Sequence, residues 1–120
     1  MYIQSDDHSW TSVVKHMNKC TGVMFLSTSA RNVRMLDACT ASLRAGHDGY
    51  YDQNALNDHL GSNPHGVQYT VLDPKRYANG CRYFAKGFPR TDAILIHNNW
   101  IVGTPAKMKR FREHGLCLID

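Results

Sequence analysis

The sequence is short of most signatures by which a small chain announces its chemistry. It has no G-x-x-x-x-G-K-[ST] loop and no G-x-G-x-x-G turn, which disfavours triphosphate sites of the P-loop kind and dinucleotide sites. A G-x-S-x-G elbow is absent, and no cysteine sits in a catalytic context, so nucleophilic hydrolysis is poorly supported. His16, His47, His59, His65 and His114 show no H-E-x-x-H or comparable spacing and read as scattered surface residues. Four cysteines, Cys20, Cys39, Cys81 and Cys117, contain no C-x-x-C pair, so zinc ribbons and thioredoxin motifs are unsupported; buried free thiols are the default reading, and the even count keeps disulfides open.

Long apolar stretches are missing as well. No run approaches the roughly 18 residues of a membrane span, and Met1-Tyr2-Ile3-Gln4-Ser5-Asp6-Asp7 has neither a basic n-region nor an apolar h-region. The chain as given therefore reads as cytoplasmic, and an upstream anchor would move it to the Golgi or secretory lumen. An excess of one charge is slight: 14 Lys and Arg face 10 Asp and Glu, a formal +4. The densest basic cluster, Lys107, Lys109, Arg110 and Arg112, falls on one expected helix. It fits either a phosphate contact or an ordinary solvated face, and salt-sensitive nucleic-acid binding is the least favoured use of it.

With 120 residues, 42% of them hydrophobic, the chain is long enough for one core and too short for two domains. The order of elements reads as mixed α/β, a mixed sheet with interleaved helices. An extended Tyr2-Ile3-Gln4 opens the chain, and the apolar run from Gly22 to Ser27 reads as a buried strand. A helix follows with Ser29 as cap, an apolar face of Val33, Leu36, Cys39 or Thr40 and Leu43, and a stop at Gly46. A second helix after Asp48-Gly49 carries Tyr51, Ala55, Leu56 and Leu60 and ends at Gly61. Strands are expected at Val67 to Leu72, weakly at Tyr83-Phe84-Ala85, and at Ala93 to Ile96, which delivers His97 at its C-terminal end, where α/β sheets favour ligand sites. The last helix has Thr104 as cap, Pro105 at its first position and Gly115 as terminator, with a final strand at Leu116 to Ile119.

Three constellations can carry chemistry. In His97-Asn98-Asn99-Trp100-Ile101-Val102-Gly103-Thr104-Pro105-Ala106-Lys107, a strand-end histidine precedes a glycine, a helix N-terminus and a lysine. Neutral imidazole ligates divalent ions, and a helix N-terminus with a lysine meets phosphate oxygens. In Tyr50 to Asn57, the carboxylate of Asp52 beside the amides of Gln53 and Asn57 suits sugar hydroxyls, although helix capping by Asp52 explains the same residues. Ser5-Asp6-Asp7-His8 is acidic enough for a hard cation, but adjacent carboxylates of an extended strand point to opposite sides, which favours a turn.

Taken in order, these pieces resemble the C-terminal half of the nucleotide-diphospho-sugar transferase family. Cys20-Thr21-Gly22-Val23-Met24-Phe25-Leu26 is similar to its T/N-G-hydrophobic strand, and Asp52-Gln53 with Asn57 to its D-Q-x-x-x-N helix. Asn79-Gly80 with Tyr83-Phe84 resembles its N-G-x-x-Y/F-F element, and His97, Asn99, Gly103 and Lys107 match its H-x-N-x-x-x-G-x-x-x-K signature. The resemblance implies a GT-A type glycosyltransferase that uses a divalent metal, usually Mn²⁺, and a nucleotide-sugar donor. The acceptor is a glycan, a protein or a small molecule. His97 would be a metal ligand, Gly103 and Lys107 would contact the diphosphate, and Asp52 and Gln53 would lie beside the transferred sugar, with Asn57 supporting their helix. No D-x-D occurs, and Asp6-Asp7 falls in a segment that the family places after that motif. Residues 1–120 therefore read as one domain, the acceptor and metal side of such a fold, open to self-association, with a non-catalytic glycan-binding or interaction remnant as the alternative to a working enzyme.

Overall fold

The computed structural model describes residues 1–6, 18–85 and 92–117. Strand β1 (Tyr2–Ser5) is the centre of a three-stranded sheet. On one side it pairs antiparallel with β2 (Lys19–Phe25), and on the other parallel with β3 (Thr70–Val71). A second sheet holds β4 (Tyr77–Asn79) and β5 (Leu95–His97) in parallel, with Asn79 opposite His97. Gln4 joins the two sheets by donating from Nε2 to the Tyr77 carbonyl at 3.0 Å. The expected mixed α/β class is found, with two small sheets in place of one.

Helices α1 (Ala30–Ala45) and α2 (Asp52–Ser62) pack on each other against the first sheet. Ser29 caps α1 as expected, its hydroxyl accepting from the Asn32 amide at 3.3 Å. The core is Ile3, Met35, Cys39, Ala55, Leu56, Leu60 and Val67. Burying each Leu or Ile there contributes about 1.5–3 kcal/mol. The face of α1 differs from the expected one: Asn32, Met35 and Cys39 are buried, while Val33, Leu36 and Leu43 stay exposed. An apolar arc this broad fits either flank against a partner, and α2 takes the Met35 flank. His59 is not a stray surface residue either, since its Nε2 lies 3.0 Å from the Ser42 hydroxyl and ties α2 to α1.

Helix α2 runs through Gly61 and stops at Asn63, which adopts the left-handed conformation with φ of 43°. The Asn63 amide then clasps both the N–H and the carbonyl of Val67, at 2.8 and 3.1 Å. Those groups are thereby unavailable to a ladder, which is why the expected strand from Val67 shortens to Thr70–Val71.

Tyr83-Phe84-Ala85 is not a strand. The segment forms a short helix, α3 (Gly80–Phe84), because Asn79 Oδ1 accepts from the Arg82 amide at 2.9 Å and starts a turn. The strand before His97 is half-buried rather than buried, and it begins at Leu95, with Ile94 exposed. Helix α4 (Thr104–Glu113) starts one residue earlier than expected, with Gly103 at the cap position and Thr104 already helical. It ends before Gly115, whose φ is 66°. Leu116 and Cys117 form no strand, and the rest of the last expected strand lies outside the described residues, as do Asp7 and His8 of the acidic constellation. Among the described residues no helix is long and apolar enough to cross a membrane.

Candidate functional site

The site begins with an irregularity in β2. Ile3 pairs with Met24 and the next residue, Gln4, with Cys20, so Thr21, Gly22 and Val23 have no partner on β1 and the strand bows. The imidazole of His97, carried in at the end of β5, lies against Gly22. A Cβ at Gly22 would stand 2.1 Å from His97 Cε1 and 2.6 Å from Nε2, so only glycine leaves room for the ring.

The protonation of His97 follows from its neighbours. Gln4 Nε2 is committed to Tyr77, so its Oε1 turns to His97 Nδ1, 3.2 Å away, and an oxygen there requires Nδ1 to carry the proton. Cys20 Sγ stands 3.3 Å from the same nitrogen. Nε2 is left with the lone pair. Burial holds the imidazole below its usual range; the Asp6 carboxylate opposes this and the Lys107 charge adds to it, so the ring is neutral at pH 7. Burial also pushes the Cys20 thiol up, a backbone hydrogen bond from Gly22 opposes this, and Asp6 and Asp52 add to it. Cys20 is thus an inert, protonated part of the floor.

Asp6 is the hub. Its Oδ2 accepts from Gln53 Nε2 at 2.9 Å, and its Oδ1 accepts from Asn99 Nδ2 at 2.7 Å and from the Trp100 indole at 3.0 Å. One carboxylate therefore gathers α2 and the loop after β5. Asn57 fixes α2 to β2 in turn: its Oδ1 accepts from the Lys19 amide at 2.8 Å, and its Nδ2 donates to the Lys19 carbonyl at 2.9 Å. Asp6, Cys20, Thr21, Gly22, Gln53, His97, Asn99 and Trp100 line a cleft of about 380 Å³.

The loop itself is held from behind. Arg110, on α4, donates through Nη1 to Asn98 Oδ1 at 3.2 Å and to the Asn99 carbonyl at 3.0 Å, and through Nη2 to the Trp100 carbonyl at 3.4 Å. From the other side the Gly80 amide donates to Asn99 Oδ1 at 2.6 Å, and a Cβ at Gly80 would meet the Asn99 carbonyl oxygen at 2.2 Å. Asn98 Nδ2 reaches the Lys107 carbonyl at 3.0 Å and seats α4 under the loop. The basic cluster of α4 is therefore not one cationic face, since Arg110 turns inward and Lys109 pairs with Glu113 one turn on.

Of the residues singled out from sequence, Asp6 of the acidic constellation, Gln53, His97 and Asn99 share the cleft. Asp52 is the exposed first residue of α2 rather than its cap, and its charge reaches the floor at Cys20. Gly103 and Lys107 stand at the start of α4, outside the cleft lining, with the Lys107 charge felt at His97. The roles of Asp6, Trp100, Arg110 and Gly22 were not readable from local pattern, because each depends on groups that only the fold brings together, across 94 residues for Asp6 and Trp100. The local signals were an Asn-Gly pair and a glycine inside an apolar strand, both of which point to close backbone approach. As a metal centre the residues fit only in part. His97 offers Nε2 with its other nitrogen oriented by Gln4, the pattern of a ligating histidine. Among the described residues, however, no group of three or more His, Cys, Asp or Glu side chains is arranged to hold an ion.

The chain is 34% identical over 73 residues to UDP-D-xylose:L-fucose alpha-1,3-D-xylosyltransferase 1 of Arabidopsis thaliana, a match that covers 58% of this chain and 20% of that protein. It is 40% identical over 57 residues to UDP-galactose:fucoside alpha-3-galactosyltransferase of Dictyostelium discoideum, covering 45% of this chain and 9% of that protein. The matches thus span a fifth or less of these relatives' lengths. No solved structure matches the chain. The sequence pattern described as nucleotide-diphospho-sugar transferase fits residues 1–111, nearly the whole chain and every residue of the cleft, and the chain belongs to that family.

Proposed function

We propose that this chain forms the part of a GT-A type glycosyltransferase in which the diphosphate departs and the acceptor arrives, and that it moves a sugar from a UDP-sugar to a hydroxyl of a fucosyl acceptor. The observation that carries this reading is the convergence of Asp6, Gln53 and the turn from His97 to Asn99, three widely separated stretches of the matched region, on one cleft. The relatives supply the substrate classes: their donors are UDP-xylose and UDP-galactose, and fucose or a fucoside is the second substrate of both.

In such a transfer the bond between sugar C1 and the diphosphate oxygen breaks, a bond from C1 to the acceptor oxygen forms, and the hydroxyl proton ends on the released diphosphate. Charge builds on the leaving group, so the decisive contribution is electrostatic. Gly103, with φ of 84° and no side chain, leaves the N-terminal amides of α4 approachable by phosphate oxygens, and Lys107 adds a full charge one turn later. A divalent cation such as Mn²⁺, held by His97 Nε2, supplies further neutralisation of that leaving group when bound. Gln53, its amide nitrogen fixed by Asp6, keeps a carbonyl oxygen for a sugar hydroxyl, and the Asp52 carboxylate beside it accepts another.

The test is turnover by the complete chain, given UDP-xylose or UDP-galactose, Mn²⁺ and methyl α-L-fucoside, with the disaccharide followed by mass spectrometry. Product that disappears on His97→Ala supports the reading. Glycan binding that survives EDTA without any turnover contradicts it and identifies a non-catalytic carbohydrate-binding module instead.

A further inference from the structure

A second cleft shares Gln53 with the first. It holds about 430 Å³, against about 380 Å³ for the first, and is lined by Asn18, Tyr51, Gln53, Asn54, Asn57 and Asp58. Gln53 is the wall common to both, and its Nε2 bond to Asp6 fixes that wall. Asn57 clasps the backbone of Lys19, and the Asn18 carbonyl accepts from the Asp6 amide at 2.8 Å, so Asn18 is set at the head of β2. Asn54 and Asp58 stand one turn apart on α2.

The bonds already made inside this cleft leave a defined set of polar groups. Asn54 Oδ1 accepts from the Tyr51 amide at 3.0 Å, so its side-chain nitrogen is left as a donor. Asp58 Oδ2 takes the Tyr50 hydroxyl at 2.8 Å, which orients the carboxylate and leaves Oδ1 as an acceptor. None of the lining residues is cationic, which disfavours phosphates and other anions, and one carboxylate among amides is a poor set for a divalent cation. Tyr51 supplies the apolar part. Its backbone is held at the start of α2, the carbonyl accepting from the amides of Asn54 and Ala55 at 3.0 and 3.1 Å, yet 67% of the residue is open to solvent. An exposed aromatic ring beside amides and an oriented carboxylate suits a neutral sugar, whose C–H face covers the ring and whose hydroxyls both donate and accept.

We infer that this cleft is a second sugar subsite, which takes the unit that carries the fucosyl residue of the acceptor. This rests on the transferase reading above and extends the acceptor from one sugar to two. A single shared side chain separates the two clefts, so an acceptor whose fucosyl unit meets Gln53 in the first delivers its glycosidic neighbour to the second. The nucleotide does not fit the second cleft, because neither α4, which carries Lys107, nor the loop after β5 contributes to its lining.

The experiment measures binding of UDP, methyl α-L-fucoside and two linkage isomers of methyl α-L-fucosyl-β-D-galactoside to the complete chain and to Tyr51→Ala and Tyr51→Phe, by calorimetry and saturation-transfer NMR. At least one isomer is expected to bind the unmutated chain about tenfold tighter than the monosaccharide, with its galactosyl protons saturated as strongly as the fucosyl ones. Tyr51→Ala is expected to remove most of that gain while UDP and methyl fucoside stay within about twofold, and Tyr51→Phe keeps the gain. Should alanine disturb the start of α2, the saturation of the galactosyl protons in the unmutated chain decides between the outcomes. Disaccharides that bind no tighter than methyl fucoside, or whose advantage survives Tyr51→Ala, overturn the subsite and leave the transferase reading standing where UDP binds. An advantage lost in Tyr51→Ala in a chain that does not bind UDP supports the subsite and removes the transferase reading, and binding of neither UDP nor any sugar removes both.

Discussion

Replacing Gly22 by alanine puts a methyl group where the ring of His97 already lies. The added Cβ would be 2.1 Å from His97 Cε1 and under 3 Å from both ring nitrogens, whereas ordinary contacts begin near 3.4 Å, so the ring has to move by more than an ångström. That movement breaks the hydrogen bond from Nδ1 to Gln4. Overpacking costs about 1–3 kcal/mol and a lost hydrogen bond about 1 kcal/mol, which gives roughly 2–4 kcal/mol for Gly22→Ala. For a chain of this size that lowers the melting temperature by about 8–16 °C. All three nearest atoms belong to the His97 side chain, and the backbone of Gly22 is not left-handed, so the clash has a single removable cause. In a His97→Ala background the same substitution is expected to be neutral, or to stabilise by about 0.4–1 kcal/mol through the unfolded state. The assay is a double-mutant cycle by urea unfolding of the four chains, in which the coupling energy approaches the whole effect of Gly22→Ala. An equal loss of stability in the His97→Ala background would refute the packing argument.

Gly80→Ala makes the complementary case, because its Cβ meets the backbone carbonyl of Asn99 and no truncation relieves it; urea unfolding is expected to show a loss of about 2 kcal/mol or more in any side-chain background. Asn57→Ala leaves the N–H and carbonyl of Lys19 without their partner and is expected to destabilise by about 1–3 kcal/mol, measured by the same unfolding. The folded pKa of His97 lies below its unfolded value near 6.5, so between the two values the unfolded chain binds the extra proton. The stabilisation is complete above about pH 6.5 and fades as pH falls through that window. His97→Gln is expected to flatten this part of the pH profile of the urea midpoint, and an unchanged profile would show that another group is responsible.

The parts of the fold that were legible in the sequence are those specified locally. Ser29 announces α1, Asp52 to Leu60 announces α2, and the apolar run before His97 announces the strand that delivers it. The failures have physical causes. Tyr83 and Phe84 have strand propensity, but Asn79 three residues before Arg82 caps a turn, and Phe84 finds its packing on the guanidinium of Arg110, 4.8 Å from the ring centre. Val33, Leu36 and Leu43 have the spacing of a core face, yet spacing does not say which edge of an apolar arc meets the neighbour. In the site, His97 and Gln53 could be nominated because residue type and position in an element carry the signal. Asp6 could not be given its role, because a carboxylate becomes a hub only through donors brought from α2 and from the loop after β5. Trp100 was visible only as one letter of a motif, and its left-handed backbone and half-exposed ring are properties of the folded loop.

The central claim is that His97, Gly103 and Lys107 receive the diphosphate of a UDP-sugar, and thermal unfolding of the complete chain with UDP, in the presence and absence of Mn²⁺, tests it most directly. UDP at a hundredfold its Kd is expected to stabilise by about 2.7 kcal/mol, a rise of about 10 °C, with a Mn²⁺-dependent part that His97→Ala largely removes. No shift in the unmutated chain, or a Mn²⁺-dependent shift of the same size in His97→Ala, would contradict the assignment.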